Sequence, residues 1–271
     1  MKLYKKAAIL GGGNIGQAIA NGLVSSNLFT EGNIYITKRR IDTIKNFSER
    51  GFITTQDNRT AVKDAEIIII AVQPKQLDEI LQEIKSEIKE DKHLVISVVS
   101  GASILAIKEL LGKNIPIVRA MPNTAIAIGE SMTCLSSDIK TNGAIKIAEE
   151  IFSSVGKTMI IEEELMVPAT ALCACGIAFF LRAIRAASQG GIEIGFHSEE
   201  AIFMAAQTAK GAASLLLNKD AHPESEIDKV TTPRGITISG LNQMEHNGFS
   251  SAMIKGIVTS AEKASKLYKN E

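Results

Sequence analysis

Three glycines, Gly11-x-Gly13-x-x-Gly16, follow directly on a short apolar run, Ala7 to Leu10, and open a segment of helical periodicity from Asn14 to Ser25. A second β-rich run, Asn33 to Thr37, comes next. Few folds accept strand, glycine turn, helix and strand in that order. Small residues let the chain turn tightly and let an anion approach the main chain, while the free N–H groups at a helix start attract it. The motif therefore predicts a dinucleotide crevice at the end of the first strand. The alternative is a glycine turn that only permits strand–helix packing.

The runs that follow support an α/β reading. EIIIIAV ends at Val72, LVISVV spans Leu94 to Val99, PIVRA starts at Pro116, SMTCL at Ser131 and TMII at Thr158. They are continuously apolar or β-rich rather than alternating, which predicts a parallel sheet covered on both faces. After Glu162 the pattern changes. Long helical segments rich in Ala, Ile and Leu run to Glu271, interrupted at Gly190-Gly191, His222-Pro223 and Pro233, with no convincing strand. The expected plan is a Rossmann-like dinucleotide-binding domain over residues 1–163 and an all-α domain over 164–271.

Composition narrows the function classes. Lys and Arg balance Asp and Glu at 30 each, so no global basic field favours nucleic acid or an anionic membrane. Three cysteines, Cys134, Cys173 and Cys175, suggest no disulfide framework, and the first residues reach glycine before any signal-peptide run develops. A cytoplasmic protein is the expectation. The apolar stretch from Val167 to Leu181 falls short of the roughly 18 residues of a membrane span and predicts a helix buried in protein. His93, His197, His222 and His246 lack ligand spacing, so no metal site is expected. No nucleophile elbow occurs either, and the chemistry available is that of a bound cofactor.

Cofactor choice is set where the second strand ends. An Asp or Glu there would hold the ribose 2′-hydroxyl of NAD; Thr37, Lys38, Arg39 and Arg40 offer a hydroxyl and cations instead. That favours a 2′-phosphate and NADPH, with NADH kept as the other candidate and a solvated basic loop as the alternative. AVQP (Ala71, Val72, Gln73, Pro74), VVSGAS (Val98, Val99, Ser100 onward) and MPNT (Met121 to Thr124) close later strands at the edge where α/β sheets hold ligands.

Hydride transfer asks for orientation, polarisation of the acceptor and exclusion of water, so substrate recognition falls to the helical half. There DKVTTPRGITISGLNQME packs Thr231, Thr232, Pro233, Gly235 and Thr237 into the start of a helical pattern. Hydroxyls beside the free N–H groups of a helix suit a carboxylate; the alternative is an N-cap with incidental threonines.

Taken in order, GGGNIG, DNRTAV, AVQPKQ, SVVSGASI, RAMPNTA, ATALCACGIAFF and VTTPRGITISGLNQME resemble pyrroline-5-carboxylate reductases over nearly the whole chain. The resemblance implies reduction of the C=N bond of 1-pyrroline-5-carboxylate to L-proline with NAD(P)H. It assigns Leu10, Gly11, Gly12, Gly13, Asn14 and Ile15, with Gly16 of the motif, to the pyrophosphate turn. Thr37 and Lys38 go to the adenosine ribose or its phosphate, where the charge reading adds Arg39, and Asn58 goes to the adenosine end. Ala71, Val72, Gln73, Pro74, Val98, Val99 and Ser100 lie along the cofactor. Asn123 and Thr170 are placed near the nicotinamide, and Asp220 near the substrate nitrogen. Ile236 and Thr237 match the substrate-carboxylate turn, to which the reading of the residues adds Thr231, Thr232 and Gly235 as substrate-binding candidates beside Asn123. Thr170, Asp220 and Thr237 are thus the catalytic candidates. The resemblance also implies an interlocked homodimer, extended in some relatives to a ring of dimers, with the substrate site shared between subunits.

Two departures from the family pattern stand out. Arg234 occupies a position that usually holds Gly, Ala, Asn or Lys, and Cys173 and Cys175 replace serines. A β-hydroxyacid dehydrogenase would present a catalytic lysine on its helical domain, but the apolar helix here offers Arg182 and Arg185. A nucleotide-sensing protein without turnover would not need the threonine turn.

Overall fold

The computed structural model describes residues 6–138, 143–217 and 221–265. Eight strands build one sheet: β1 (Ala7–Leu10), β2 (Ile34–Thr37), β3 (Ile53–Thr55), β4 (Ile67–Ile70), β5 (Leu94–Ser97), β6 (Ile117–Met121), β7 (Ser131–Ser137) and β8 (Gly156–Ile160). Their spatial order is β3-β2-β1-β4-β5-β6-β7-β8. The helices between them are α1 (Asn14–Ser25), α2 (Lys45–Glu49), α3 (Asn58–Asp64), α4 (Leu77–Ile84), α5 (Ile104–Leu111) and α6 (Ala144–Ser153).

The continuous apolar runs have a direct cause in this layering. In β4, Ile67 and Ile69 enter the core shared with Ile19, Leu23 and Phe152, while Ile68 and Ile70 enter the one shared with Val62, Leu81 and Ile107. Successive side chains of a strand point to opposite faces, so a strand covered twice needs an apolar residue at every position. β1 divides in the same way, with Ala7 and Ile9 on one side and Ala8 and Leu10 on the other.

The sheet departs from the sequence expectation at two places. β7 runs antiparallel to β6, with Met121 opposite Cys134. The connection, residues 122–130, is too short for the crossover that a parallel return requires. The edge strand β3, only half buried, pairs with β2 and was not anticipated: three residues make too short a run to show a period.

Two compact units emerge from the packing, one up to Cys175 joined by the segment that begins at Ser260, the other Gly176 to Thr259. The change to helical sequence at Glu163 therefore precedes the change of packing unit. α7 (Met166–Ala169) and the π-helical turn Thr170–Cys175 stay with the first unit because Met166 and Ala169 are buried with Met121 and Cys134.

The second unit holds α8 (Gly176–Glu193), α9 (Ser198–Leu216), α10 (Pro223–Lys229), α11 (Ile236–His246) and the larger part of α12 (Phe249–Ala264). No strand occurs after β8 among the described residues. Gly190-Gly191, expected to interrupt a helix, lies inside α8. A Cβ at Gly191 would sit 3.1 Å from that of Ala201, so the glycine serves close packing of α8 on α9. The break comes at Gly195, whose φ is +112°.

The apolar stretch is longer than expected. Glu163–Glu193 is one helical run of 31 residues, long and apolar enough by length and composition to cross a membrane. Only 22% of its apolar window is buried within this chain, and Leu172, Phe180 and Leu181 are exposed. A single chain does not bury this helix.

Candidate active site

Sheet order reverses between β1 and β4, and a cleft of about 590 Å³ opens at the carboxyl ends of the strands there. This is the topological switch point at which open α/β sheets hold nucleotides. Gly11, Gly12 and Gly13 form its floor, and Ala71, Val72 and Gln73 continue it from the end of β4. Ala71 N–H donates to the Leu10 carbonyl at 2.8 Å, which locks the two strand ends side by side.

Each glycine has its own reason. Gly11 has φ +114°, and a Cβ there would lie 2.3 Å from the Ala71 carbonyl oxygen. At Gly16 a Cβ would meet the Gly11 carbonyl oxygen at 2.1 Å, so α1 can start this close to β1 only without a side chain. Gly13 differs: no atom lies within 4 Å of the place its Cβ would take. The space beside it is open, and α1 begins at Gly13 with no side-chain cap and no acidic residue in its first turn. Gly11 and Gly12 N–H both donate to the Thr37 carbonyl, so the donors left for an anion are those of the first turn of α1, Asn14 to Gly16.

The other end of the cleft is polar. Thr37, Lys38, Arg39 and Arg40 line it at and after the end of β2, with Gln56 from the β3–α3 connection and Asn58 from the first position of α3. Gln56 Nε2 donates to the Arg39 carbonyl at 2.6 Å and Asn58 Nδ2 to Glu83 Oε2 at 2.8 Å, which fixes both walls. Lys38, Arg39, Arg40 and Lys75 form no ion pair with another described residue. Four uncommitted cations around one cleft attract a polyanion.

Of the residues expected along a cofactor, Gly11, Gly12, Gly13, Thr37, Lys38, Arg39, Asn58, Ala71, Val72 and Gln73 line this cleft. Leu10, Asn14, Ile15, Gly16, Pro74, Val98, Val99 and Ser100 do not. Leu10, Val98 and Val99 are buried core residues, and Ser100 Oγ is spent on Met121 Sδ at 3.9 Å. The cleft also gathers Gln56, Lys75, Gln76, Glu79, Ile80 and Glu83, which sequence reasoning missed. The signal for Gln56 was the β-rich ITT before it; the α4 residues are visible only once the fold brings α4 to β1.

Asn123 and Thr170 lie elsewhere in the same unit. Asn123 is buried, its Oδ1 accepting from Ala125 N–H at 3.0 Å and its Nδ2 donating to the Cys173 carbonyl at 3.3 Å. Thr170, half buried at the head of the π-helical turn, donates its hydroxyl to the Met166 carbonyl at 2.8 Å. π-Helical turns of this kind recur at functional sites.

In the second unit the threonine turn ends at Gly235, the uncapped start of α11. A Cβ on Gly235 would lie 2.5 Å from Thr232 Oγ1, and Gly235 N–H donates to the Thr232 carbonyl at 2.8 Å. Arg234 holds φ +59°, a left-handed conformation that explains why smaller or more permissive residues suit the position. Thr231 Oγ1 turns back to the Ile227 carbonyl at 2.8 Å. Ile236 is exposed and Thr237 half buried at the first turn of α11. Asp220 lies outside the described residues.

Residues 163–267 match the family model described as pyrroline-5-carboxylate reductase dimerisation, and residues 6–101 match NADP oxidoreductase coenzyme F420-dependent. Pyrroline-5-carboxylate reductase 2 of Dictyostelium discoideum is 49% identical over 98% of this chain and 94% of its own length. The chain belongs to the pyrroline-5-carboxylate reductase family. Pyrroline-5-carboxylate reductase 1 of the same organism is 57% identical over 99% of this chain, which spans only 51% of that longer relative. A crystal structure of Plasmodium falciparum pyrroline carboxylate reductase with NADP bound superposes with a TM-score of 0.87 at 26% identity, covering 97% of this chain and 98% of that one. The reductase family thus accounts for both the switch-point cleft and the helical dimerisation unit.

Proposed function

We propose that this chain is a pyrroline-5-carboxylate reductase that makes L-proline with NADPH. The observation that carries the reading is the 49% identity to a relative of that name along almost all of both chains, joined to a cleft whose open floor lies beside Gly13. NADPH, when bound, supplies the hydride that reduces the C=N bond.

The chain's own residues do the rest. The first-turn N–H groups of α1 hold the pyrophosphate, and Lys38 and Arg39 hold the 2′-phosphate. The N–H groups around Gly235 to Thr237 and the Thr237 hydroxyl hold the substrate carboxylate and so fix which carbon meets the hydride. Asn123 orders the main chain at the nicotinamide end through Cys173. Thr170 lies beside the nicotinamide and Asp220 stabilises the cationic imine nitrogen, raising the electrophilicity of its carbon.

The apolar face of α8 is covered by a second copy of the chain. The match of residues 163–267 to a dimerisation model and the exposure of Phe180 and Leu181 support this. Assembly into a ring of dimers and a cytoplasmic location complete the reading.

Steady-state kinetics on single variants test the roles. Thr237→Ala is expected to raise KM for the imino acid by about tenfold, the loss of one charge-assisted hydrogen bond, with NADPH affinity unchanged. Lys38→Ala and Arg39→Ala are expected to raise KM for NADPH and leave that for NADH alone. A Thr237→Ala enzyme that loses NADPH affinity instead, or a preference for NADPH that survives both cleft substitutions, contradicts these assignments.

A further inference from the structure

Three buried polar residues join the start of β7 to the π-helical turn. Ser131 is 2% exposed, Thr133 0% and Asn123 6%. Ser131 Oγ accepts the Asn123 main-chain N–H at 3.1 Å and shares a hydrogen bond of 3.1 Å with Thr133 Oγ1. Asn123 then spends its side chain on main chain, Oδ1 accepting from Ala125 N–H at 3.0 Å and Nδ2 donating to the Cys173 carbonyl at 3.3 Å. A continuous path thus runs from two hydroxyls on β7, through Asn123, to the turn that begins at Thr170.

The strand explains why hydroxyls stand there. Ser131, Thr133 and Leu135 alternate on one face of β7, and Leu135 enters the main core, so packing alone asks for apolar residues at 131 and 133. The hydroxyls answer a different need: the Asn123 N–H just past β6 is buried, and a buried donor without a partner forfeits its hydration. Ser131 holds that donor firmly because its own main chain is pinned. Its N–H donates to the Val155 carbonyl at 3.1 Å, and a Cβ on Gly156 would lie 2.0 Å from its carbonyl oxygen, so β8 begins pressed against it. Thr133 in turn fixes the rotation of the Ser131 hydroxyl, which is otherwise free to turn. With its N–H, Oδ1 and Nδ2 all engaged inside the protein, Asn123 acts on the turn rather than as a ligand contact.

We propose that Ser131 and Thr133 are positioning residues for the reduction, holding Thr170 in place through Asn123 and the π-helical turn, a role that rests on the placement of Thr170 beside the nicotinamide. Loss of the Ser131 hydroxyl leaves the Asn123 N–H without its acceptor, and loss of the Thr133 hydroxyl lets that acceptor rotate. The bond from Asn123 Nδ2 to the Cys173 carbonyl, the longest of the path at 3.3 Å, yields first. Thr170 moves with the loosened turn, since its hydroxyl is tied to the Met166 carbonyl at 2.8 Å within the same helical segment. A displacement of this kind costs turnover, because hydride transfer depends on orientation, while the dinucleotide cleft keeps its contacts.

Two substitutions at one position separate packing from positioning. Thr133→Val keeps the shape and removes the hydroxyl; Thr133→Ser keeps the hydroxyl and removes the methyl group. If packing alone matters, Val is the milder change, and if positioning matters, it is the harsher one. In the ligand-free full-length protein, amide hydrogen exchange of the Thr170–Cys175 turn is expected to quicken about fivefold in Thr133→Val and in Ser131→Ala, the worth of one buried hydrogen bond, and to keep the wild-type rate in Thr133→Ser. With NADPH and 1-pyrroline-5-carboxylate, kcat is expected to fall by a similar factor in Thr133→Val with NADPH affinity unchanged, and Thr133→Val added to Thr170→Ala is expected to slow the enzyme no further than Thr170→Ala alone. Exchange that quickens more in Thr133→Ser than in Thr133→Val, exchange unchanged in both hydroxyl deletions, or rate losses that multiply in the double variant overturn the positioning role while the placement of Thr170 stands. A Thr170→Ala enzyme with the wild-type kcat overturns that placement, and the positioning role with it.

Discussion

At the residue scale, the glycines of the motif separate into those that the fold needs and one, Gly13, beside which the space is open. Gly16→Ala puts a methyl group 2.1 Å from the Gly11 carbonyl oxygen and is expected to destabilise the protein by about 1–3 kcal/mol. Gly13→Ala meets nothing within 4 Å. Its stability is expected to stay within about 0.5 kcal/mol of wild type, while NADPH affinity falls by about tenfold or more, since the methyl group enters the space of the pyrophosphate. Urea melts and fluorescence titrations with NADPH check both, and a Gly13→Ala protein that binds NADPH normally shows the phosphates to lie elsewhere. Spacing alone identified the motif, yet it could not divide these roles. Only the distance from each glycine to β4 and to its own turn does so. Arg234 shows the same limit, because its left-handed conformation is a property of the closed turn and not of the residue type.

At the element scale, one carboxylate ties three segments together. Glu163 Oε1 accepts from Arg119 Nη1 at 3.0 Å and from Ile104 N–H at 2.7 Å, joining β6, the start of α5 and the entry to α7. Arg119 is buried in this arrangement. Glu163→Gln keeps an acceptor for Ile104 but leaves the guanidinium without its counter-charge, an expected loss of about 3 kcal/mol by chemical denaturation. A loss below about 1 kcal/mol marks the pair as a surface-like contact.

His93 gives the elements a pH dependence. It is buried at the start of β5, its Nδ1 accepting from Lys89 N–H at 2.9 Å, and burial, aided by Lys92, lowers its pKa from 6.5 to about 4. The folded state thus holds it neutral where the unfolded chain protonates it. Its contribution is complete above about pH 6.5 and is lost as pH falls toward 4, an effect on the order of 3 kcal/mol. His93→Gln retains an acceptor without a titrating group and is expected to flatten stability across that window. An unchanged slope assigns the pH dependence to other groups. These elements were largely legible beforehand because double burial writes itself into continuous apolar runs. The antiparallel turn of β7 was not, since its direction depends on the length of a connection, and β3 was too short to carry a period.

At the scale of the whole molecule, the two units are a sheet with a cleft at its topological switch point and a helical unit that matches a dimerisation model. The cleft was legible because backbone requirements select glycine and because cations at the end of β2 stand in for the usual acid. The added wall from α4 was not legible, because it depends on strand order. The length of the apolar helix was misjudged because charged residues at its flanks continue the helix that the apolar stretch begins. The central claim is that this chain reduces 1-pyrroline-5-carboxylate. Purified protein mixed with NADPH and 1-pyrroline-5-carboxylate, with NADPH absorbance and L-proline measured together, tests it most directly. The account predicts loss of NADPH only when the imino acid is present, with one L-proline formed for each NADPH consumed; binding of NADPH without turnover, or turnover with no proline formed, contradicts it.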